Sequence, residues 1–264
     1  MKKVIIIDGS YYVFYRYHAI CMWWSKARRE DEPLEPINAP RFIETFKLTF
    51  YKKLQEIEKK YKITEPLRYV AKDCRQRDIW RMSLLPTYKQ QRKSTNDIGF
   101  FLKLAYNELF TSSMIQEVLQ HPHLEADDCA AITASHMTSL NSNNDVWIIT
   151  SDHDYLQLQH DNIKLLNLKG TFLTDHKECT KDRNVDLKVK IIRGDKSDNI
   201  PSIFPRCGYK TALKYASNLD LLKIELSKNE KATQQYKLNT TLIDFNEIPQ
   251  EHIKMFKQNY PALF

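Results

Sequence analysis

The sequence predicts an α/β fold, with a central, mainly parallel sheet flanked by helices and a helical region after it. Three observations predict it. Short strand-like runs occur at Val4–Ile7, Leu67–Ala71 and Val146–Thr150, the first and third rich in β-branched residues. The chain between them is long enough for helical crossovers and carries helix-spaced apolar residues. After each run comes an aspartate, where a buried strand would give way to a loop.

Each element has a local reason. Val4-Ile5-Ile6-Ile7 followed by Asp8-Gly9-Ser10 reads as a buried strand and a turn, with an aromatic-rich helix from Tyr11 to about Met22. Residues 28–40 are charged and proline-rich and read as a surface loop. Phe42, Phe46, Phe50, Leu54 and Ile57 keep helical spacing, which predicts one helix from Phe42 to Tyr61. Leu67–Ala71 is the second strand and runs out at Lys72-Asp73. Residues 74–97 form a basic segment, and Phe100–Gln120 reads as helical. Glu125–Met137 is a helix that opens on three acids. Val146–Thr150 is the third strand and ends in Ser151-Asp152-His153-Asp154. Ile163–Leu168 and Thr171–Thr174 read as a hairpin turned by Lys169-Gly170, and the chain after Asp186 reads as mostly helical. The expected division is a core over residues 1–180 and a helical region over 181–264, joined in one compact unit.

Composition narrows the function. The 264 residues include 40 Lys+Arg against 33 Asp+Glu, and 42% are hydrophobic. That supports a real core and excludes wholesale disorder. No apolar run approaches the ~18 residues of a membrane span, and four apolar residues before Asp8 make no secretory signal. A soluble, intracellular protein without a membrane partner is expected. Five dispersed cysteines without a C-x-x-C pair argue against a disulfide framework or a zinc site. The five glycines form neither G-x-G-x-x-G nor a Walker loop.

The informative residues are acidic. Asp8, Asp73 and the Asp152/Asp154 pair follow strands, and ligands of open parallel sheets bind at that edge. Glu125 and Asp128 share a helix face, with Asp127 about a third of a turn away. Asp195 and Asp198 flank a turn after Gly194. Singly, such an aspartate is most often a turn former or a helix cap, and an acidic helix start complements the dipole. Four clusters together shift the balance. Nine gathered carboxylates would repel and raise one another's pKa values. Divalent cations with oxygen ligation, Mg²⁺ or Mn²⁺, relieve that repulsion. Two such ions ~4 Å apart suit phosphodiester chemistry. Setting the nine aside leaves 24 acids against 40 bases, an excess of 16 positive charges outside the cleft. A basic surface around an acidic cleft fits a nucleic-acid substrate.

These motifs resemble the 5′-nuclease (flap endonuclease) family. They are Ile7-Asp8-Gly9-Ser10 with Arg16, Glu125-Ala126-Asp127-Asp128, Ser151-Asp152-His153-Asp154, and Gly194-Asp195-Lys196-Ser197-Asp198-Asn199-Ile200-Pro201. The resemblance spans residues 4 to about 216 in the family's order and implies a PIN-like fold. It implies metal-dependent 5′–3′ exonuclease and flap endonuclease activity on DNA with a 5′ flap, nick or free 5′ end, or on an RNA–DNA hybrid, in replication or repair. Asp8, Asp73, Glu125 and Asp127 would hold one Mg²⁺, with Mn²⁺ as a substitute. Asp127, Asp128, Asp152, Asp154 and Asp198 would hold the second, with Asp195 nearby. His153 is expected to point away. Tyr88-Lys89-Gln90-Gln91-Arg92 matches the family's basic helix beside the site. Lys89 and Arg92, on one helix face, would contact the scissile phosphate. Tyr88 would stack on a base, and Arg16, Arg81 and Lys93 would bind DNA.

Residues 198–216 resemble a helix–hairpin–helix, with Arg206, Gly208, Lys210 and Thr211 offered to a duplex phosphate and K⁺ as an associated ion. The family's Gly-x-Gly turn reads Arg206-Cys207-Gly208 here, and Arg16 falls one residue later than in the family motif. The tail Gln258–Phe264 lacks the second aromatic of a sliding-clamp peptide and is expected to pack on the core of a monomer. Two other readings stay open, a PIN-like endoribonuclease and a catalytically silent DNA-binding protein. An aspartyl-nucleophile phosphatase is discounted because Ser10 stands where a second aspartate is needed.

Overall fold

The computed structural model describes residues 2–91 and 96–264. Five strands form one sheet: β1 (Lys3–Asp8), β2 (Leu67–Ala71), β3 (Glu117–Leu119), β4 (Asp145–Ile149) and β5 (Ile163–Leu166), in the order β3-β2-β1-β4-β5. All neighbours are parallel. The four residues Val4–Ile7 are wholly buried because both sheet faces are covered. Val4 and Ile6 face one core with α5 (Ala126–Leu140) and α10 (Gln250–Asn259). Ile5 and Ile7 face the other with α1 (Gly9–Ala27), α2 (Pro40–Thr49), α3 (Lys52–Lys60) and α4 (Asn96–Leu104).

Four elements depart from the sequence reading. The single helix over Phe42–Tyr61 is two, α2 and α3, broken at Phe50-Tyr51. The apolar spacing continues across the break, with Phe50 and Leu54 both buried, so periodicity alone does not mark it. The helix expected over Phe100–Gln120 ends at a π-helical turn, Ala105–Leu109, and the chain then enters the short strand β3. The expected hairpin reduces to one antiparallel bridge between Leu166 and Phe172, because β5 pairs in parallel with β4 instead. Last, α1 is longer than expected, starting at Gly9 directly after β1. A Cβ at Gly9 would collide with the Tyr106 hydroxyl and lie 2.9 Å from the Ala71 carbonyl, so this close strand-to-helix passage requires glycine.

The helical region contains α6 (Arg183–Arg193), α7 (Tyr209–Ala216), α8 (Leu219–Ser227) and α9 (Glu230–Ile243). Val189, Ile192, Ala212, Ala216 and Leu222 form its core. A fourth cluster, including Ile79, Tyr88, Ile191, Ile200 and Leu242, ties it to the basic segment. The C-terminal tail lies against the body: Tyr260 and Phe264 pack on the first core, and the Tyr260 hydroxyl accepts from Gln120 N at 2.7 Å.

Candidate active site

The parallel register aligns the carboxyl ends of the strands. Asp8 pairs opposite Ala71, and Ile7 opposite Ile149. Asp8, Asp73, Thr150 and Asp152 therefore leave the sheet at one edge. Asp8 is fixed at both oxygens: Oδ1 accepts from Tyr11 N at 3.1 Å, capping α1, and Oδ2 accepts from Thr150 Oγ1 at 3.1 Å. Asp73 accepts from Ser10 Oγ at 2.6 Å and from Ala126 N at 3.0 Å, which pins it to the start of α5. Asp152 accepts from Asp154 N at 3.0 Å.

Asp8, Asp73, Glu125, Asp127, Asp152 and Lys89 line a cleft of about 230 Å³, together with Ser10, Phe14 and Tyr155. Beside it, Asp154, Asp195 and Asp198 bring one oxygen each within 4.8 Å of the others. The Lys190 ammonium, on α6, lies 2.6 Å from Asp154 and also contacts Asp195. Lys89 links the two groups: its ammonium contacts Glu125 and lies 3.6 Å from Asp198, and its N–H donates to the Asp198 carbonyl at 3.0 Å. Asp198 reaches this position through the turn after α6. Gly194 there has φ 69°, and a Cβ would collide with the carbonyl oxygens of Ile200 and Pro201.

The electrostatics separate the carboxylates. Burial, then the charges of Asp73 and Asp152, push Asp8 up to about 7. Burial and Asp154 push Asp152 up to about 6. Burial, Glu125 and Asp128 raise Asp127 well above the usual range. Burial would raise Glu125 too, but Lys89 and Arg81 outweigh it and hold its carboxyl low. Lys190 likewise overcomes burial and holds Asp195 at about 2. The cleft thus concentrates carboxylates that its own cations leave uncompensated, and their all-oxygen donor set fits a hard divalent cation.

Several expected DNA contacts sit elsewhere. Arg81 is 2% exposed. Its guanidinium donates to Asp128 at 2.7 and 2.8 Å, to Glu125 at 2.9 Å and to the Leu242 carbonyl at 2.7 Å. A basic residue in a basic run read as surface, yet its partners lie up to 161 residues away. Asp128 is fully buried, and its oxygens also accept from Trp80 Nε1 at 3.0 Å and Glu125 N at 3.1 Å. Although they approach Glu125 and Asp127, they are already engaged in neutralising Arg81. Tyr88 is buried rather than poised to stack, and its hydroxyl donates to Glu125 at 3.0 Å or Asp198 at 3.3 Å. Arg16 is buried between α1 and α2, donating to Thr49 Oγ1 at 2.9 Å. Lys89 is not on a helix: it occupies a turn with φ 53°. Arg92 and Lys93 lie outside the described residues.

Arg206, Gly208, Lys210 and Thr211 are exposed around the first turn of α7. The left-handed backbone position falls on Arg206, φ 54°, and not on Gly208, φ −83°. Nothing lies within 4 Å of where a Gly208 Cβ would be, so that backbone is open to a close partner. The sequence reading missed Lys190, Thr150 and Phe14. Only Phe14 carried a signal, as an aromatic on the helix that leaves the acid-bearing strand end. It is 40% exposed and lines the cleft.

Comparisons with known proteins give the family and the fold. The family described as 5′-3′ exonuclease, N-terminal resolvase-like domain, matches residues 3–190. A 5′-3′ exonuclease of Buchnera aphidicola is 27% identical over 216 residues, covering 80% of this chain and 69% of that protein. The Ribonuclease H of Enterobacteria phage T4 is 28% identical over 194 residues, covering 64% of this chain and 61% of that protein. DNA polymerase I of Mycobacterium tuberculosis is 31% identical over 157 residues, but this chain spans only 17% of its length. Among solved structures, bacteriophage T5 D15 flap endonuclease in complex with DNA and metal ions shares the fold, with TM-score 0.68, 18% identity and 99% coverage of both chains. T5 5′-exonuclease with bound zinc gives a TM-score of 0.70 at 18% identity, again over 99% of both chains. With the family matched over most of its length, the chain belongs to the 5′-3′ exonuclease family.

Proposed function

We propose that this chain is a metal-dependent, structure-specific nuclease that hydrolyses phosphodiester bonds near 5′ ends, nicks or flaps of DNA. The observation that carries the reading is the cleft: five carboxylates at the strand edge and the start of α5, three with raised pKa values, facing the buried Lys89. Asp8, Asp73, Glu125, Asp127 and Asp152 would hold one divalent cation. Asp154, Asp195 and Asp198 would complete a second site, where Lys190 is the present counter-charge. Mg²⁺ is the expected ion, with Mn²⁺ as a substitute. Such ions supply an activated water and charge stabilisation for phosphodiester cleavage.

The chain's own residues set the rest. Ser10 and Thr150 hold Asp73 and Asp8 in place. Asp128 and Arg81 position Glu125 from behind and do not ligate. Lys89 presents the cleft's cationic donor to a phosphate oxygen as negative charge develops. Phe14 offers a ring at the mouth on which a single-stranded base can stack. The open first turn of α7, with Arg206, Lys210 and Thr211, would take a duplex phosphate, and K⁺ is the expected ion there. Primer removal in replication or repair is the expected role, in keeping with the Ribonuclease H of phage T4 and the DNA polymerase I among its relatives, and a monomer is the expected form. The test is cleavage of 5′-labelled flap, nicked and RNA-primed duplexes in Mg²⁺ and in EDTA. Cleavage that persists in EDTA, or product lengths independent of the 5′ end, would refute it.

A further inference from the structure

Near Asp128, three histidines converge from two parts of the chain. His121 and His123 lie in the loop between β3 and α5, and His252 lies in the first turn of α10. Their ring centres are 5.9 Å (His121–His123), 5.2 Å (His121–His252) and 5.2 Å (His123–His252) apart. An imidazole nitrogen sits about 2.0–2.1 Å from zinc and the ring centre about 1.1 Å further, so rings arranged tetrahedrally about one ion have centres about 5.2 Å apart. Two of the three pairs have that spacing, and His121–His123 is slightly wider.

The hydrogen bonding points the same way. His121 is 2% exposed, and its Nε2 has no hydrogen-bond partner among the described residues; the same holds for the enclosed Nδ1 of His252. His123 Nδ1 lies 2.8 Å from the Asp78 carbonyl. A carbonyl only accepts, so Nδ1 carries the proton and Nε2 keeps the lone pair, as in a metal-ligating histidine oriented by an outer carbonyl. Burial and the two neighbouring rings push His121 down to about 4, so it is neutral at physiological pH. His123 is exposed, which leaves a path for an ion and a place for water as a further ligand.

We propose that His121, His123 and His252 form a binding site for a borderline transition-metal ion such as Zn²⁺, separate from the hard-cation cleft. Its chemistry is structural: the ion would fasten α10 to the loop that leads into Glu125. The ring nitrogens are not drawn together as closely as the two acidic groups, so binding requires the rings to turn about their side-chain bonds. It also requires His121 to shift its proton to Nδ1 and release the long 3.2 Å bond it accepts from His123 N.

The experiment uses untagged full-length protein in saturating Mg²⁺, titrated with Co²⁺ and Zn²⁺ and read by visible Co²⁺ absorption, calorimetry and thermal unfolding. The expected result is one tightly bound equivalent that Mg²⁺ does not displace, with a rise in Tm. His123→Gln, an exposed change that leaves the fold intact, and His252→Gln should each weaken it at least about tenfold. Asp8→Asn should leave it unchanged. Absence of binding overturns the proposal. So does an equivalent that Mg²⁺ displaces, or one lost in Asp8→Asn and kept in both histidine variants.

Discussion

Asp8→Asn in the metal-free protein tests the electrostatic reading of the cleft without relying on catalysis. Asp8 is raised from 3.8 to about 7. At ~1.4 kcal/mol per tenfold, that difference makes the ionised form about 4 kcal/mol less favourable in the folded chain than in the unfolded one. The sign is that of a raised carboxylate. Between pH about 4 and 7 the folded state holds a proton that the unfolded state has lost, so stability falls as pH rises through that window and levels off above it. Asparagine cannot ionise. It keeps the oxygen that accepts from Tyr11 N, and the Thr150 hydroxyl can turn to accept from its amide. If neighbouring carboxylates relax to absorb about half the repulsion, the variant gains about 2 kcal/mol at pH 8, or ~4–8 °C in Tm for a chain of this size. At pH 4 it gains almost nothing. Scanning calorimetry in EDTA at both pH values measures this, and added Mg²⁺ should then stabilise the wild type far more than the variant. A variant less stable than wild type at pH 8, or a difference that does not change with pH, would refute the reasoning. Cleavage should be lost in either case.

Other consequences are equally direct. Arg81→Ala leaves Glu125 and Asp128 buried without their guanidinium and should cost ~3–5 kcal/mol in urea unfolding; a loss under ~1 kcal/mol would mean the pair is not buried as described. Lys89→Ala should lower single-turnover kcat on a 5′ flap by ~10²–10³ with little change in KM. A rate within about threefold of wild type at saturation, well short of that loss, would leave Lys89 only a binding role. Arg206→Ala and Lys210→Ala should each reduce the salt slope of duplex binding, measured in Ca²⁺, by about 1 while sparing cleavage of single-stranded ends; an unchanged slope removes α7 from the interface.

The acidic residues were legible because they stand at positions that topology dictates. A buried run such as Val4–Ile7 fixes where Asp8 emerges, and parallel neighbours bring Asp73 and Asp152 to the same edge. The basic segment was misread for the converse reason. Arg81 and Asp128 are 47 residues apart, and nothing local to either indicates that each neutralises the other. Lys89 read as helical from i, i+3 spacing, whereas a positive φ at a lysine leaves no mark in composition. Lys190 lies on the amphipathic helix α6, where a charged residue is ordinary, and its link to Asp154 appears only after folding. The three-residue β3 is too short for any period to register.

The bond from Arg81 Nε to the Leu242 carbonyl bears on how the enzyme is made. Residues reach a growing chain in order, and the sheet with Asp8, Asp73 and Glu125 is synthesised long before α9. Until α9 folds back, Arg81 lacks one of its acceptors. Asp195 and Asp198 also lie beyond residue 190, where the family match stops. An intact site therefore needs segments from both ends of the sequence, and a chain cut before α9 is expected to hold its carboxylates without their full support.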